Sequence, residues 1–327
     1  MSETTVDKLY ELLDESASII ENHLQITYLE ALVKTGENIF QKTNLQDLDV
    51  VTGRRLKEIY EKITIEEIQP ETIRKALQLA ILKGMQSGVQ SHHTMTPDSV
   101  ALFVSYLVNK WSDKKQEYSL LDPAVGTGNL LTAVLNHTQK KVTSFGLDPD
   151  EILLKLAFIN SNLQQHQLEL YHQDSVRPIY LNPVDMVVSD LPVGYYPNED
   201  VAELYKLKAK EGLSYVHHLL MEQSLNLTRE AGVLIFLIPN FLFQSDEAEN
   251  LNRYLKEEAI IQGIIQLPMS LFKNESHAKS ILILQKKGGN AKPPKQVLMA
   301  KLPSFSNKES MSRMIQRIDL WFKEQNK

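Results

Sequence analysis

The segment that most constrains this chain is a strand that ends in Asp122-Pro-Ala-Val-Gly-Thr-Gly-Asn-Leu-Leu131 and then opens a helix. The apolar pair Leu120–Leu121 leads into it, and Leu130–Asn136 follows with helical spacing. Gly126 and Gly128 permit a tight turn and let a ligand approach the backbone. The first turn of the new helix presents unsatisfied N–H groups, which suit a carboxylate. The turn is too short for the phosphate-binding G-x-G-x-x-G, because Leu131 stands where the last glycine belongs. It also lacks the Gly-Lys-Ser/Thr ending of a P-loop.

Two more acids close strands downstream. Asp148 ends Val142–Leu147, twenty residues after Gly128, where a carboxylate can accept hydrogen bonds from both ribose hydroxyls of an adenosine. Asp174 follows the strand Leu168–Tyr171 and can meet an adenine amine. Singly, such residues serve as strand-end caps or turn formers. Three successive strands ending in Asp122, Asp148 and Asp174 point instead to a nucleoside-containing cofactor. Further strands are expected at Met186–Val188, Val233–Ile238, Ile260–Leu267 and Ser280–Leu284, with helices at Glu151–Leu163, Val216–Thr228 and Glu247–Glu257. This rhythm predicts an α/β fold with a Rossmann-like, doubly wound, mostly parallel sheet. Only the short loop Pro268–Lys279 joins the last two of these strands, which are therefore expected to pair antiparallel. A linker-like GGNAKPPK, a possible edge strand Val297–Leu302 and an amphipathic helix complete the chain.

Residues up to about Gly88 read as helical, with Leu9, Leu12, Leu13, Ala17 and Ile20 and then Ile73, Leu77, Ala80 and Ile81 on helical faces. The expected division is a smaller helical N-terminal domain at 1–90 and the α/β domain at 91–327. Cysteine is absent, which excludes disulfides, a thiol nucleophile and thiolate-held metals. The acidic, amphipathic start is unlike a targeting peptide, and the longest apolar run, Val233–Pro239, is strand-sized. A cytoplasmic protein without membrane attachment is expected. A net charge of −6 argues against a general nucleic-acid coat. The clusters Lys206/Lys208/Lys210 and Lys286/Lys287/Lys292/Lys295 read as solvated loops. His92-His93 and His217-His218 are adjacent pairs expected to face opposite ways along a helix; metal sites prefer i, i+4 spacing, so no metal is expected.

From about Thr94 to Lys287 the order of elements resembles the DNA adenine-N6 methyltransferases, especially the modification-subunit type and the YtxK-like proteins. His93-Thr-Met-Thr-Pro-Asp-Ser-Val100 looks like that family's Thr-Pro element, with Thr96 as N-cap, Pro97 in first position and Asp98 in the first turn. Ala231-Gly-Val-Leu-Ile-Phe-Leu-Ile-Pro-Asn240 looks like its fifth strand. Ile264–Phe272 with Ser280–Lys287 resembles its terminal hairpin. The resemblance implies S-adenosylmethionine as cofactor, with Thr96, Asp122, Ala124, Gly126, Gly128, Asp148, Asp174 and Ser175 as binding candidates.

The departure lies in the catalytic element, Asn/Asp/Ser-Pro-Pro-Tyr/Phe in the family and Ser189-Asp190-Leu191-Pro192-Val193-Gly194-Tyr195-Tyr196 here. Asp190 matches the polar position and Pro192 the second proline, while Leu191 and Val193 replace the first proline and the aromatic. The resemblance implies that Asp190 and the Leu191 carbonyl accept from the target amine. Tyr195 or Tyr196 would stack on a flipped base. The catalytic candidates are thus Asp190, Leu191, Pro192 and Tyr195. Adenine N6 of DNA, without an obvious target-recognition region, is the expected acceptor, with DNA ahead of RNA and recognition coming from the helical N-terminal domain or from a separate specificity partner. An idle cofactor-binding module and an RNA or protein-amide methyltransferase remain the alternatives.

Overall fold

The computed structural model describes residues 4–87 and 95–325. Helices come first: α1 (Thr5–Leu24), α2 (Tyr28–Gln41), α3 (Val50–Tyr60), α4 (Pro70–Ser87) and α5 (Asp98–Trp111). The alternating part runs β1 (Glu117–Asp122), α6 (Asn129–Asn136), β2 (Lys141–Asp148), α7 (Glu151–Leu163), β3 (Leu168–His172), β4 (Val184–Asp190), α8 (Glu199–Ala202) and α9 (Val216–Asn226). It closes with β5 (Thr228–Pro239), α10 (Ala248–Glu258), β6 (Ala259–Gln266), β7 (Lys279–Lys286), β8 (Leu298–Lys301) and α11 (Lys308–Gln325). The sheet has eight strands in the order β3-β2-β1-β4-β5-β7-β6-β8. The predicted α/β class and doubly wound topology are therefore present, as is the helical N-terminal segment. The order reverses direction between β1 and β4, the place where open α/β sheets bind ligands.

Two compact units make up the chain, each assembled from separate segments. The first comprises 1–105, 125–138 and 146–172. Its helices start at built caps: Thr4 with Asp7 and Thr27 with Glu30 form capping boxes on α1 and α2. Leu9, Leu13 and Ile20 of α1, Leu32 of α2 and Leu77 of α4 share one hydrophobic core with Leu156 and Ile159 of α7. Gly36 makes the α2–α7 approach possible, since a Cβ there would lie 2.6 Å from Ile159 Cδ1. The helical segment and α7 are thus parts of one packed body. The expected boundary at 90/91 itself falls outside the described residues, as do Gly88, His92, His93 and Thr94.

The second unit comprises 106–124, 139–145 and 173–327. β1, β4 and β5 pair parallel, with Leu121 opposite Val187 and Asp190 opposite Leu237. β5 is buried almost throughout from Gly232 to Pro239, as expected of a central strand covered on both faces. β6 and β7 are antiparallel as predicted, and β7 lies between β5 and β6, antiparallel to both. The edge strand β8 runs parallel to β6. Most strands run a few residues beyond their expected ends, and α9 stops at Asn226, two residues short of expectation, because Thr228 opens β5. There the Thr228 side chain bonds the Ser224 carbonyl at the helix end.

Candidate active site

In the first unit the glycine turn is built by backbone and one carboxylate. Val125 donates to the Leu147 carbonyl (2.9 Å), and Gly128 donates back to Val125 (2.8 Å). Gly126 (φ +52) and Gly128 (φ +74) occupy left-handed backbone that disfavours a side chain. A Cβ on Gly126 would meet nothing within 4 Å, so open space adjoins that turn, whereas one on Gly128 would press on Ala157 (3.2 Å). Gly128 caps α6 and, among the described residues, makes no side-chain cap bond there, a helix start suited to an anionic group. Asp148 accepts from Gly126 N–H (2.9 Å) and from Asp150 N–H (2.9 Å). It therefore holds the turn as well as standing at the strand end where a ribose acceptor is expected.

Behind the turn lies a buried cation that the sequence reading did not single out. Arg74 of α4 is fully buried. It donates to Glu71 (2.8 and 2.6 Å), to Asp98 and to Asn129 Oδ1 (2.8 Å). Its carboxylate partners hold the guanidinium pKa above its ordinary value despite burial. Asn129, the first residue of α6, donates in turn to the Thr96 carbonyl (3.1 Å). Ala101 N–H bonds the Pro97 carbonyl, making Pro97 the cap residue of α5, one position later than expected of Thr96. Thr96 is nevertheless buried and tied by its carbonyl to the glycine-turn helix.

The second unit carries the remaining candidates. Asp122 is buried and accepts from Ala124 N–H (3.0 Å) and the Ser189 hydroxyl (2.7 Å). Asp174 accepts from Val176 N–H (2.9 Å) and from the Tyr196 hydroxyl (2.5 Å). Burial and the Asp174 charge push the Tyr196 pKa up to about 12. The hydroxyl of buried Ser175 has no partner among the described residues, so a bound polar group would satisfy it.

Asp190 ends β4 and forms an ion pair with Lys279, the first residue of β7; both side chains are largely buried. Leu191 N–H donates to the Leu237 carbonyl (3.2 Å) and its side chain is fully buried. A parallel ladder would next send the N–H of residue 239 to the Leu191 carbonyl. Residue 239 is proline and has no N–H, so the carbonyl keeps its acceptor capacity. The loop is then clamped to the start of α9, Tyr196 N–H to Ser214 (2.8 Å) and Val216 N–H to Gly194 (3.0 Å). Pro192 and Val193 are exposed. Tyr196 is buried and occupied by Asp174, whereas Tyr195 is 62% exposed and stacks on Tyr215 (5.1 Å between centroids, 21°). Of the two tyrosines, Tyr195 alone presents a ring to solvent.

His217 and His218 correct the sequence reading. They do not face opposite ways: both are buried, their centroids lie 4.9 Å apart, and each contacts Tyr215. Neighbouring helical residues are separated by about 100°, which lets two rings in a first turn touch. Burial pushes their pKa values down to about 3 and about 4.

Residues 81–326 match the family described as N-6 DNA Methylase, and residues 7–85 match the YtxK N-terminal helical domain. The chain belongs to the N-6 DNA methylase family. It is 49% identical to the uncharacterized protein YtxK of Bacillus subtilis (strain 168), over 99% of this chain and 100% of that one. A crystal structure from Listeria monocytogenes, provisionally assigned as a class I S-adenosylmethionine-dependent methyltransferase, superposes with a TM-score of 0.91. It is 42% identical and the match covers 97% of this chain and 98% of that one. The MjaVII methylase subunit, a type I restriction enzyme component of Methanocaldococcus jannaschii, is 23% identical over 87% of this chain, which spans 51% of that protein.

Within this N-6 DNA methylase fold, Arg74, Asn129, Tyr215 and Lys279 escaped sequence reasoning. Lys279 stands 89 residues from Asp190, and only the insertion of β7 beside β5 brings them together. Arg74 carried a weak signal, a cation within an apolar helical pattern. No helix among the described residues is long and apolar enough to cross a membrane.

Proposed function

We propose that this chain transfers a methyl group from S-adenosylmethionine to the N6 amino group of adenine in DNA. The observation that carries the reading is the end of β4, where the Asp190 carboxylate and a Leu191 carbonyl deprived of its ladder donor by Pro239 form an acceptor pair for one amine. The donor set fits the cofactor. Asp122, Ala124, the Gly126–Gly128 turn and Thr96 are assigned to its methionine end, Asp148 to the ribose, and Asp174 with Ser175 to the adenine. The open space at Gly126, the uncapped start of α6 and the unpartnered Ser175 hydroxyl support that fit. When bound, the cofactor supplies a methyl group already activated by its sulfonium.

The chain's own contribution is alignment. Asp190 and the Leu191 carbonyl draw on the two amine hydrogens and turn the nitrogen lone pair outward. A carboxylate has about four acceptor sites, more than the Lys279 ammonium takes up. Pro192 stiffens the loop, and Tyr195 offers a ring for base stacking. The MjaVII methylase is one subunit of a type I restriction enzyme, and we assign target choice here to a separate specificity partner as well. A second reading draws on the same ion pair: a carboxylate neutralised by Lys279, with Val193 in the aromatic position, suits an idle cofactor-binding module.

Transfer of tritium from labelled cofactor into a mixture of DNA, RNA and protein separates the readings. Label in DNA is expected. Asp190→Ala should lower turnover by roughly a hundredfold, the scale of lost alignment, with cofactor affinity nearly intact. Cofactor binding without transfer to any acceptor would establish the module, and label confined to RNA or protein would displace adenine in DNA.

A further inference from the structure

Charge is unevenly distributed along this acidic chain. Residues 292–327 hold eight lysines or arginines against three acids, a surplus of five positive charges where the whole chain carries −6. The structure gathers part of that surplus. β8 and α11 border a surface cleft of about 420 Å³ whose lining includes Lys301, Arg313 and Arg317, with Leu302, Pro303 and Met314 as apolar wall. Arg313 and Arg317 are four residues apart on α11 and so share a face. Among the described residues neither Lys301 nor Arg317 has a carboxylate within ion-pair distance, and Arg313 meets only exposed Glu309 at 3.6 Å. The first of the two cation clusters apparent in sequence behaves differently: Lys206 is paired with Glu258 and Lys208 with Glu203.

Strand register gives the cleft an address. Lys301 is opposite Gln266, Gln266 opposite Ser280, Ser280 opposite Ile238, and Leu237 opposite Asp190. Lys301 therefore ends its strand at the same end of the sheet as Asp190, four strand spacings away, or about 19 Å. At about 3.4 Å per base pair, that is about half a turn of B-form DNA. Guanidinium forks match phosphate oxygens bidentately, and their contacts carry no sequence information.

We propose that the β8–α11 cleft seats the phosphate backbone of duplex DNA, about half a helical turn from the nucleotide offered to Asp190. The position of the target rests on the function proposed above; binding at the cleft does not require turnover. The full chain would be titrated into a fluorescent duplex across a salt series. Lys301→Gln/Arg313→Gln/Arg317→Gln would be compared with the unaltered chain and with Lys206→Gln/Lys208→Gln. All five side chains are at the surface, and thermal melts and cofactor calorimetry verify folding. Losing three phosphate contacts should make the slope of log K against log salt shallower by about 2.7. The Lys206/Lys208 variant should keep the original slope. An unaltered slope in the triple variant, an equal fall in the Lys206/Lys208 variant, or no duplex binding by the unaltered chain would overturn the proposal. Tighter binding to single-stranded RNA through the same residues would also overturn it, reassigning the cleft. A shallower slope in a chain that transfers no methyl group would leave the cleft standing and remove the enzyme reading alone.

Discussion

At the scale of single residues, Asp148 combines two tasks, holding Gly126 N–H and standing where a ribose is expected. Asp148→Ala should weaken S-adenosylmethionine by about 1–3 kcal/mol, the scale of a buried partner left unsatisfied. Calorimetry showing equal affinity, or tighter binding of NAD, would refute the assignment. His217 and His218 set a pH dependence of stability. Their folded pKa values, about 3 and about 4, lie below the ordinary 6.5. Between those values the unfolded chain binds protons that the native chain refuses, so stability is fully present above pH 6.5 and falls as pH drops toward 4. Each imidazole should cost about 1.4 kcal/mol per pH unit across that window. Urea unfolding at pH 7.5 and pH 5 should show the loss, and His217→Leu/His218→Leu should flatten it. An equal slope in the double variant would show that other groups govern it.

At the scale of elements, α4 reaches the turn of α6 through one side chain. Arg74 stands between Glu71, Asp98 and Asn129, and Asn129 holds the carbonyl ahead of α5. Arg74→Met would take the guanidinium from Glu71, Asp98 and Asn129, leaving the two carboxylates, among the described residues, only Lys75 at 3.7 and 4.0 Å and Asn136 on Glu71. Breaking a buried pair costs about 3–5 kcal/mol; Glu71 and Asp98 are partly exposed, so the lower end, about 3 kcal/mol, is expected from urea unfolding. Arg74→Lys, keeping the charge but losing the fork, should cost less. Hydrogen exchange should quicken at Gly126–Asn129 more than in α1 and α2. Uniform quickening, or none, would mean that Arg74 does not position the turn.

At the scale of the whole molecule, recognition is the open demand on so acidic a chain. Reading bases needs an element that enters a groove and side chains that reach base edges. Among the described residues beyond β7 there are only β8 and α11, a short edge strand and a helix facing a cationic cleft. On the function proposed above, the 327-residue chain is expected to modify duplex DNA without sharp sequence preference, since phosphate contacts at that cleft carry no sequence information. Single-molecule sequencing of treated plasmid tests this, and dense methylation confined to one short motif would contradict it, pointing to the helical N-terminal segment as reader.

The fold class was legible because its signals are local. A glycine turn declares itself through the backbone it requires, strands and helices through their periods, and the antiparallel hairpin through a loop too short for a crossover. The cofactor candidates were legible for the same reason, since Asp122, Asp148 and Asp174 each close or follow a strand. What escaped depends on which distant segments become neighbours. No local pattern could place Lys279 on Asp190, because that needs β7 to insert between β5 and β6. Nor could it turn Pro239 into the reason the Leu191 carbonyl lacks a donor, which is a matter of register. The His217-His218 pair departs from expectation because adjacency in sequence says little about burial. Local backbone preference and hydrophobic period determined the elements and their order; packing and strand register decided which charges meet, which stay unpaired and which face the acceptor.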